Sequence, residues 1–256
     1  MHYSLFELWL AWLTAHLLGD FVLQTDWMVA HKRRESVLAR HAALLGALSF
    51  ALAGRFSLRG AEAAALIAGT HGIIDWIKTR SSRKGAASFI VDQLAHLAVI
   101  AVLPLFCAVQ LTGSIWLRRF GPVWLAGLIL VSGLVLCVCV AGHLIGFAVQ
   151  PYLDEILAAG GSGLDSPTRG LTRAGRTIGR WERALIFLLV LVGQPGGIGF
   201  LITAKSIFRF GELKDPSNRR EAEYITIGTL MSFGTAIAIA YGTVLLARAS
   251  VRWPQP

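Results

Sequence analysis

The sequence predicts an all-α bundle of helices that crosses a membrane about seven times, on three observations. Apolar runs of about 20 residues, the length that spans a bilayer, recur along the whole chain. Hydrophobic residues fill 55% of the 256 positions and charged ones only 15%, against about 25% charged in a soluble domain. The basic residues behind the net charge of +9 gather in the short links between apolar runs. That is the positive-inside pattern of a membrane protein, not the continuous stripe that would mark a nucleic-acid partner.

The spans follow in order. Span 1, residues 3–24, contains Glu7, His16, Asp20 and Gln24 and lacks a basic leader, so it reads as a crossing and not a signal peptide. Span 2, 37–54, carries His41 about one turn from its start. Span 3, 60–78, closes with His71, Asp75 and Lys78. Span 4, 88–110, opens with Asp92 and His96. Span 5, 121–149, has no charged residue, and span 7 covers 224–247. Span 6, 183–206, is interrupted by Gly193-Gln194-Pro195-Gly196-Gly197. Pro removes a backbone donor and the glycines weaken the helix, so this span is expected to kink, or to break into two half-helices that re-enter. The organisation is a four-helix membrane domain over 1–112, followed by a C-terminal membrane region over 113–256. Cys107, Cys137 and Cys139 lie inside apolar runs as small packing residues, and His2 and His31 are interfacial.

Charge gives the orientation. The links after spans 1, 3 and 5, with the C-terminal stretch, hold 15 Lys and Arg; the other links hold 9. The N-terminus therefore faces out and the C-terminus the cytoplasm, as in a bacterial inner-membrane protein.

Three strings in the first half share one design: His16-Leu-Leu-Gly-Asp20, His71-Gly-Ile-Ile-Asp75 and the reversed Asp92-Gln-Leu-Ala-His96. A spacing of four sends both side chains from one face of a helix, and the reversed order suits a helix passing the same site in the opposite direction. With His41, seven such groups fall within roughly 12 Å of one membrane face. Imidazole nitrogens and carboxylate oxygens suit one or two ions of a divalent transition metal: zinc, manganese or iron. Helix-borne ligands of this kind also build dinuclear sites in bundle cores. The alternative is that each His–Asp pair is a hydrogen bond fixing helix packing. An aspartate at mid-membrane costs about 2.5–3.5 kcal/mol, while a polar contact between such helices returns about 0.6 kcal/mol. Three aspartates are thus a costly way to align helices.

Other residues are read beside this cluster. Gln24 extends the His16–Asp20 face by a turn, and Lys78 lies one turn beyond Asp75; both are candidate substrate contacts, although a lysine there also serves as a topology anchor. His143, between Gly142 and Gly146, reads as a packing histidine, with an eighth ligand as the alternative. Arg169, Arg173, Arg176, Arg180 and Arg183 recur every three or four residues, as a basic face for anionic headgroups or as a plain loop.

The same residues carry a resemblance. Ala15-His-Leu-Leu-Gly-Asp-Phe-Val-Leu-Gln-Thr-Asp-Trp-Met28, Thr70-His-Gly-Ile-Ile-Asp-Trp-Ile-Lys78 and Val91-Asp-Gln-Leu-Ala-His-Leu97 resemble the bacterial and phage membrane family called domain of unknown function 3307. Lys205-Ser-Ile-Phe-Arg-Phe210 and Glu223-Tyr-Ile-Thr-Ile-Gly-Thr-Leu230 resemble the C-terminal half of its longer members. The resemblance implies the fold and the site positions, and no reaction. More distantly, the layout is similar to membrane-bound metal-dependent hydrolases, by analogy alone.

The function expected from these residues is metal-dependent hydrolysis of a phosphoester or other lipid-borne bond near the cytoplasmic leaflet. Its partners would be the bilayer and an anionic lipid-linked substrate. The alternatives are a proton-coupled or metal-ion transporter and a non-enzymatic membrane scaffold. A transporter needs polar groups continuing to the far side, where spans 1–4 offer little beyond Glu7.

Overall fold

The computed structural model describes residues 2–82, 85–107, 113–158, 174–209 and 219–251, and these are helical throughout, with turns and no strand. Helix α1 (His2–Leu18) runs without a break into a π-helical turn, Gly19–Leu23. Thr25 then restarts the chain: its hydroxyl accepts the Met28 N–H at 3.2 Å and caps the short α2 (Asp26–His31). Helix α3 (Glu35–Ala53) ends at Gly54, whose φ of 60° is the left-handed closure that glycine adopts without strain. Ser57 caps α4 (Leu58–Arg80) by accepting the Gly60 N–H at 3.1 Å. Helices α5 (Ala86–Cys107) and α6 (Ile115–Phe120) follow. Helix α7 (Pro122–Val135) passes through a second π-helical turn, Leu136–Val140, into α8 (Ala141–Ala158). The rest is α9 (Ala174–Leu191), α10 (Gly197–Arg209) and α11 (Arg219–Val251).

Five helical stretches are long and apolar enough to cross a membrane: Leu5–Leu23, Glu35–Ala53, Ala86–Cys107, Pro122–Ala158 and Arg219–Ser250. The expected count of seven differs at two places. Helix α4 has the length of a span, but Arg59, Glu62, Asp75, Lys78 and Arg80 dilute its hydropathy. The sixth predicted span is two short helices, α9 and α10, joined through Gly193 and Pro195. They run antiparallel: Glu182 on α9 meets Lys205 on α10 at 2.7 Å, and Gly197 packs against Leu189.

The helices group into two compact units, divided near Val135, with the end of α11 returning to the first. The first therefore extends past residue 112 to include α6 and α7. Its core joins Leu8, Ala11, Trp12, Leu45, Ile67, Ile100, Leu125 and Leu128. Small residues let α3 and α4 approach closely: a side chain at Gly46 would press on Ala68, and one at Gly72 would touch Ala42. At the end of this core away from the His/Asp strings, Arg55 donates to the Glu7 carboxylate at 3.0 Å, both buried. Gly54→Ala should cost at least about 1–2 kcal/mol, because the left-handed conformation penalises a side chain and the added methyl would meet the Trp116 indole. Thermal unfolding followed by helical circular dichroism measures it; an unchanged midpoint would show that this cap does not hold the α3 end.

The second unit is built on Cys137, Ile186, Phe187, Val190, Phe233, Ala236 and Ala240. Here the predicted arginine stripe is corrected. Arg169 and Arg173 lie outside the described residues, and Arg176 and Arg180 are exposed, but Arg183 is buried. Its guanidinium donates to the carbonyls of Cys137 (2.9 Å) and Val138 (2.8 Å), in the second π-helical turn, and to the Ser232 hydroxyl (3.2 Å). Gly142 and Gly179 leave room for it. Three acceptors inside the unit hold Arg183 where the spacing of the stripe pointed to a basic surface.

Candidate metal centre

Four helices of the first unit bring the seven predicted ligand residues together. His16 comes from the end of α1 and Asp20 from the π-helical turn after it. His41 lies near the start of α3, His71 and Asp75 on the last turns of α4, Asp92 and His96 on the first turns of α5. His16, His41, His71, Asp75, Asp92 and His96 are buried, and the Asp20 side chain keeps 8% of its exposure. Helices α4 and α5 run in opposite directions, so the reversed string meets its counterpart in register.

The closest part of the cluster contains two imidazoles and two carboxylates. His41 Nε2 and His71 Nε2 face each other at 3.0 Å. Asp20 Oδ1 lies 3.1 Å from the first and 3.4 Å from the second. Asp75 Oδ2 lies 3.5 Å from the first and 3.2 Å from the second. Hydrogen bonding alone accounts poorly for this convergence, because each imidazole Nε2 carries at most one proton. A metal ion 2.0–2.2 Å from its ligands in a tetrahedron separates them by about 3.3–3.6 Å, close to the 3.0–3.4 Å among Asp20 Oδ1, His41 Nε2 and His71 Nε2, with Asp75 Oδ2 beside the two histidines.

A looser set adjoins it. The other oxygen of Asp75, Oδ1, lies 3.9 Å from His96 Nε2, which lies 3.7 Å from Asp92 Oδ1. Neither His96 Nε2 nor Asp92 Oδ1 has a hydrogen-bond partner. The His71 and His96 rings stack at 4.2 Å, and His16 packs against His96 at 5.0 Å. His16 Nε2 lies 3.3 Å from Gln93 Oε1, and its Nδ1 3.7 Å from Asp20 Oδ2. Three ligand triads, each with its donor atoms within 4.8 Å of one another, can be drawn: His16, His71 and His96; Asp20, His41 and His71; Asp75, Asp92 and His96.

Two lysines close the cluster. Lys32 Nζ, from the link after α2, stands 2.6 Å from Asp75 Oδ2, and Lys78 Nζ stands 2.5 Å from Asp92 Oδ2. Of the two residues read as substrate contacts, Lys78 is thus held on a carboxylate, one-third exposed, and Gln24 lies 3.2 Å from His41 Nε2. His143 is exposed in the second unit, its Nδ1 3.0 Å from the Cys139 carbonyl of its own helix. Sequence reasoning missed Lys32 and Gln93. Gln93 follows Asp92 within its string, a usable signal; Lys32 looked like one basic residue of a topology signal.

Residues 8–120 match the model of a protein family of unknown function, DUF3307. The match spans every ligand residue above and ends before the C-terminal strings at 205–210 and 223–230. No curated protein and no solved structure matches the chain, so the more distant likeness to membrane-bound hydrolases has no matching relative behind it.

Proposed function

We propose that this chain is a multi-pass membrane protein that binds a divalent transition metal and uses it to hydrolyse a phosphoester or other lipid-borne bond near the cytoplasmic leaflet. One observation carries the metal: five separations among Asp20 Oδ1, His41 Nε2, His71 Nε2 and Asp75 Oδ2 fall between 3.0 and 3.5 Å. Charge supports it. Asp20, Asp75 and Asp92 carry three negative charges against the two ammonium groups of Lys32 and Lys78, so with neutral imidazoles the cluster lacks one positive charge. A divalent ion reverses that sign and draws in an anion. Bound metal lowers the pKa of a water and polarises the group to be cleaved. Lys78, one-third exposed and displaced from Asp92, would then contact a headgroup phosphate.

Transport is the weaker reading. On α1, Glu7 and His16 are nine residues apart, about 13 Å along the helix, and Leu8, Leu10, Ala11, Trp12 and Ala15 between them are buried. Leu45, Ile67 and Ile100 add to that mostly apolar layer from the other three helices, in which the buried Thr14 hydroxyl lies 2.8 Å from that of Ser132.

The test uses the full chain purified in detergent and then placed in vesicles of phosphatidylglycerol and phosphatidic acid. The purified protein should carry metal by elemental mass spectrometry, and His41→Ala or Asp20→Ala should lose it. In vesicles, release of headgroup or phosphate should stop with chelator and resume with metal. Metal content equal in wild type and variants overturns the centre; bound metal without any release overturns the hydrolase.

Orientation is testable by itself. The apolar parts of the two legs, residues 184–191 of α9 and Gly197–Ile207 of α10, rise about 12 and 16 Å and reach half of a hydrocarbon core of about 30 Å. As a re-entrant pair they return the 210–218 link to the basic face. Lys and Arg then number 18 on that face against 6 opposite, instead of 15 against 9. Reporter fusions should place the 80–84 link, of which Arg83 and Lys84 lie outside the described residues, and the 210–218 link in the cytoplasm. The C-terminus should then report from outside, contrary to the seven-crossing expectation. An external signal at 80–84 would reverse the whole topology.

A further inference from the structure

We infer that the cluster contains a second, open metal site, formed by Asp75 Oδ1, Asp92 Oδ1 and His96 Nε2, with Asp75 bridging to the four-ligand cage. The inference rests on the metal reading above and divides its labour. In the cage, Asp20, His41 and His71 form the tightest triad, and Asp75 Oδ2 adds a fourth oxygen 3.2–3.5 Å from both histidines. The adjoining set offers three ligands, the number that leaves a metal a coordination position for water or substrate. Its separations, 3.7 Å from His96 to Asp92 and 3.9 Å from His96 to Asp75, suit an ion held at open angles.

Two features set this second set apart from a chance acidic cluster. His96 Nε2 and Asp92 Oδ1 are buried, point into the same space and lack any hydrogen-bond partner. A buried polar group without a partner costs about 1–3 kcal/mol, and here two such groups face each other across a gap too long for a hydrogen bond and suited to two metal–ligand bonds. The carboxylate of Asp75 is also used on both sides: Oδ2 faces His41 and His71, while Oδ1 faces His96. A carboxylate between two metals on facing helices is how bundle cores build dinuclear centres.

The lysines fit the same scheme. Each ammonium lies on a carboxylate oxygen of one set, Lys32 on the cage at Asp75 Oδ2 and Lys78 on the open set at Asp92 Oδ2. Lys78 is partly exposed and can swing out as metal enters, whereas Lys32 is buried. With two divalent ions the cluster carries three net positive charges, so it takes a multiply charged anion such as a phosphate group in preference to a neutral ester.

Chelator-stripped full-length protein in detergent micelles is titrated with Mn(II) alone, read by elemental analysis and electron paramagnetic resonance. Two equivalents with an exchange-coupled spectrum are expected. Asp92→Asn and His96→Gln should each hold one equivalent with an uncoupled spectrum, the remaining ion reporting an intact cage and fold. One equivalent in wild type overturns the second site and leaves the cage standing. A wild-type pair without coupling, or variants that keep two equivalents or lose both, likewise overturn the second site as drawn. No bound manganese in wild type, with none of the other candidate metals retained on purification, overturns the metal reading itself.

Discussion

Asp75→Ala is expected to abolish metal binding and to destabilise the metal-free protein at the same time. The substitution removes one oxygen from the four-ligand cage and one from the adjoining set. Loss of an outer partner of a metal ligand costs about 10–100-fold in affinity, so loss of a shared ligand should exceed about 100-fold. The same change leaves Lys32 buried without the carboxylate 2.6 Å away, and stranding one member of a buried ion pair costs about 3–5 kcal/mol. The two effects separate in a double variant. Asp75→Ala with Lys32→Met should regain most of the lost thermal stability and none of the metal. Metal per chain and the unfolding midpoint, measured on the same samples, give both answers. Retained metal in Asp75→Ala removes Asp75 from the centre.

Glu7→Ala should produce a comparable loss of stability with no loss of metal. Glu7 and Arg55 form a fully buried pair at 3.0 Å that ties α1 to the α3–α4 turn. Removing the carboxylate takes from the buried guanidinium its ion-pair partner, a loss of up to about 3–5 kcal/mol, whereas replacing both partners with apolar groups is often close to neutral. Glu7→Leu with Arg55→Leu should therefore be more stable than Glu7→Ala alone. A double variant no better than the single one would show that the pair does more than pin the helices.

The cluster was legible in the sequence because a spacing of four fixes a shared helix face whatever surrounds it. Position in an apolar run then marked each His–Asp pair for attention, because charged groups there are costly. His41 had no partner in its own span, yet depth alone placed it correctly beside Asp20 and His71. What escaped depended on chain reversals and tertiary contacts. Lys32 reaches Asp75 because α2 turns the chain back at the Thr25 cap, and no periodicity reports that. Arg183 continued a basic spacing into α9, and its acceptors are carbonyls of the π-helical turn at Leu136–Val140, distant in sequence and invisible to composition. Both π-helical turns were missed, since nothing marks them but tertiary fit; at the first, a side chain on Gly19 would strike Leu45. The breaker at Gly193–Gly197 was legible, and it separates α9 from α10.

The apolar layer between the Glu7–Arg55 pair and the His/Asp cluster also has an electrical consequence. Leu8, Ala11, Trp12, Leu45, Ile67 and Ile100 form an apolar layer of the first unit, so in the membrane placement proposed above most of a transmembrane voltage would fall across them and little across the cluster. Moving one elementary charge through the full field takes about 2.3 kcal/mol per 100 mV. A divalent ion entering the cluster from the nearer face does only a small fraction of that work. Occupancy of the centre should therefore follow metal concentration on that face and stay nearly constant as the membrane polarises or collapses.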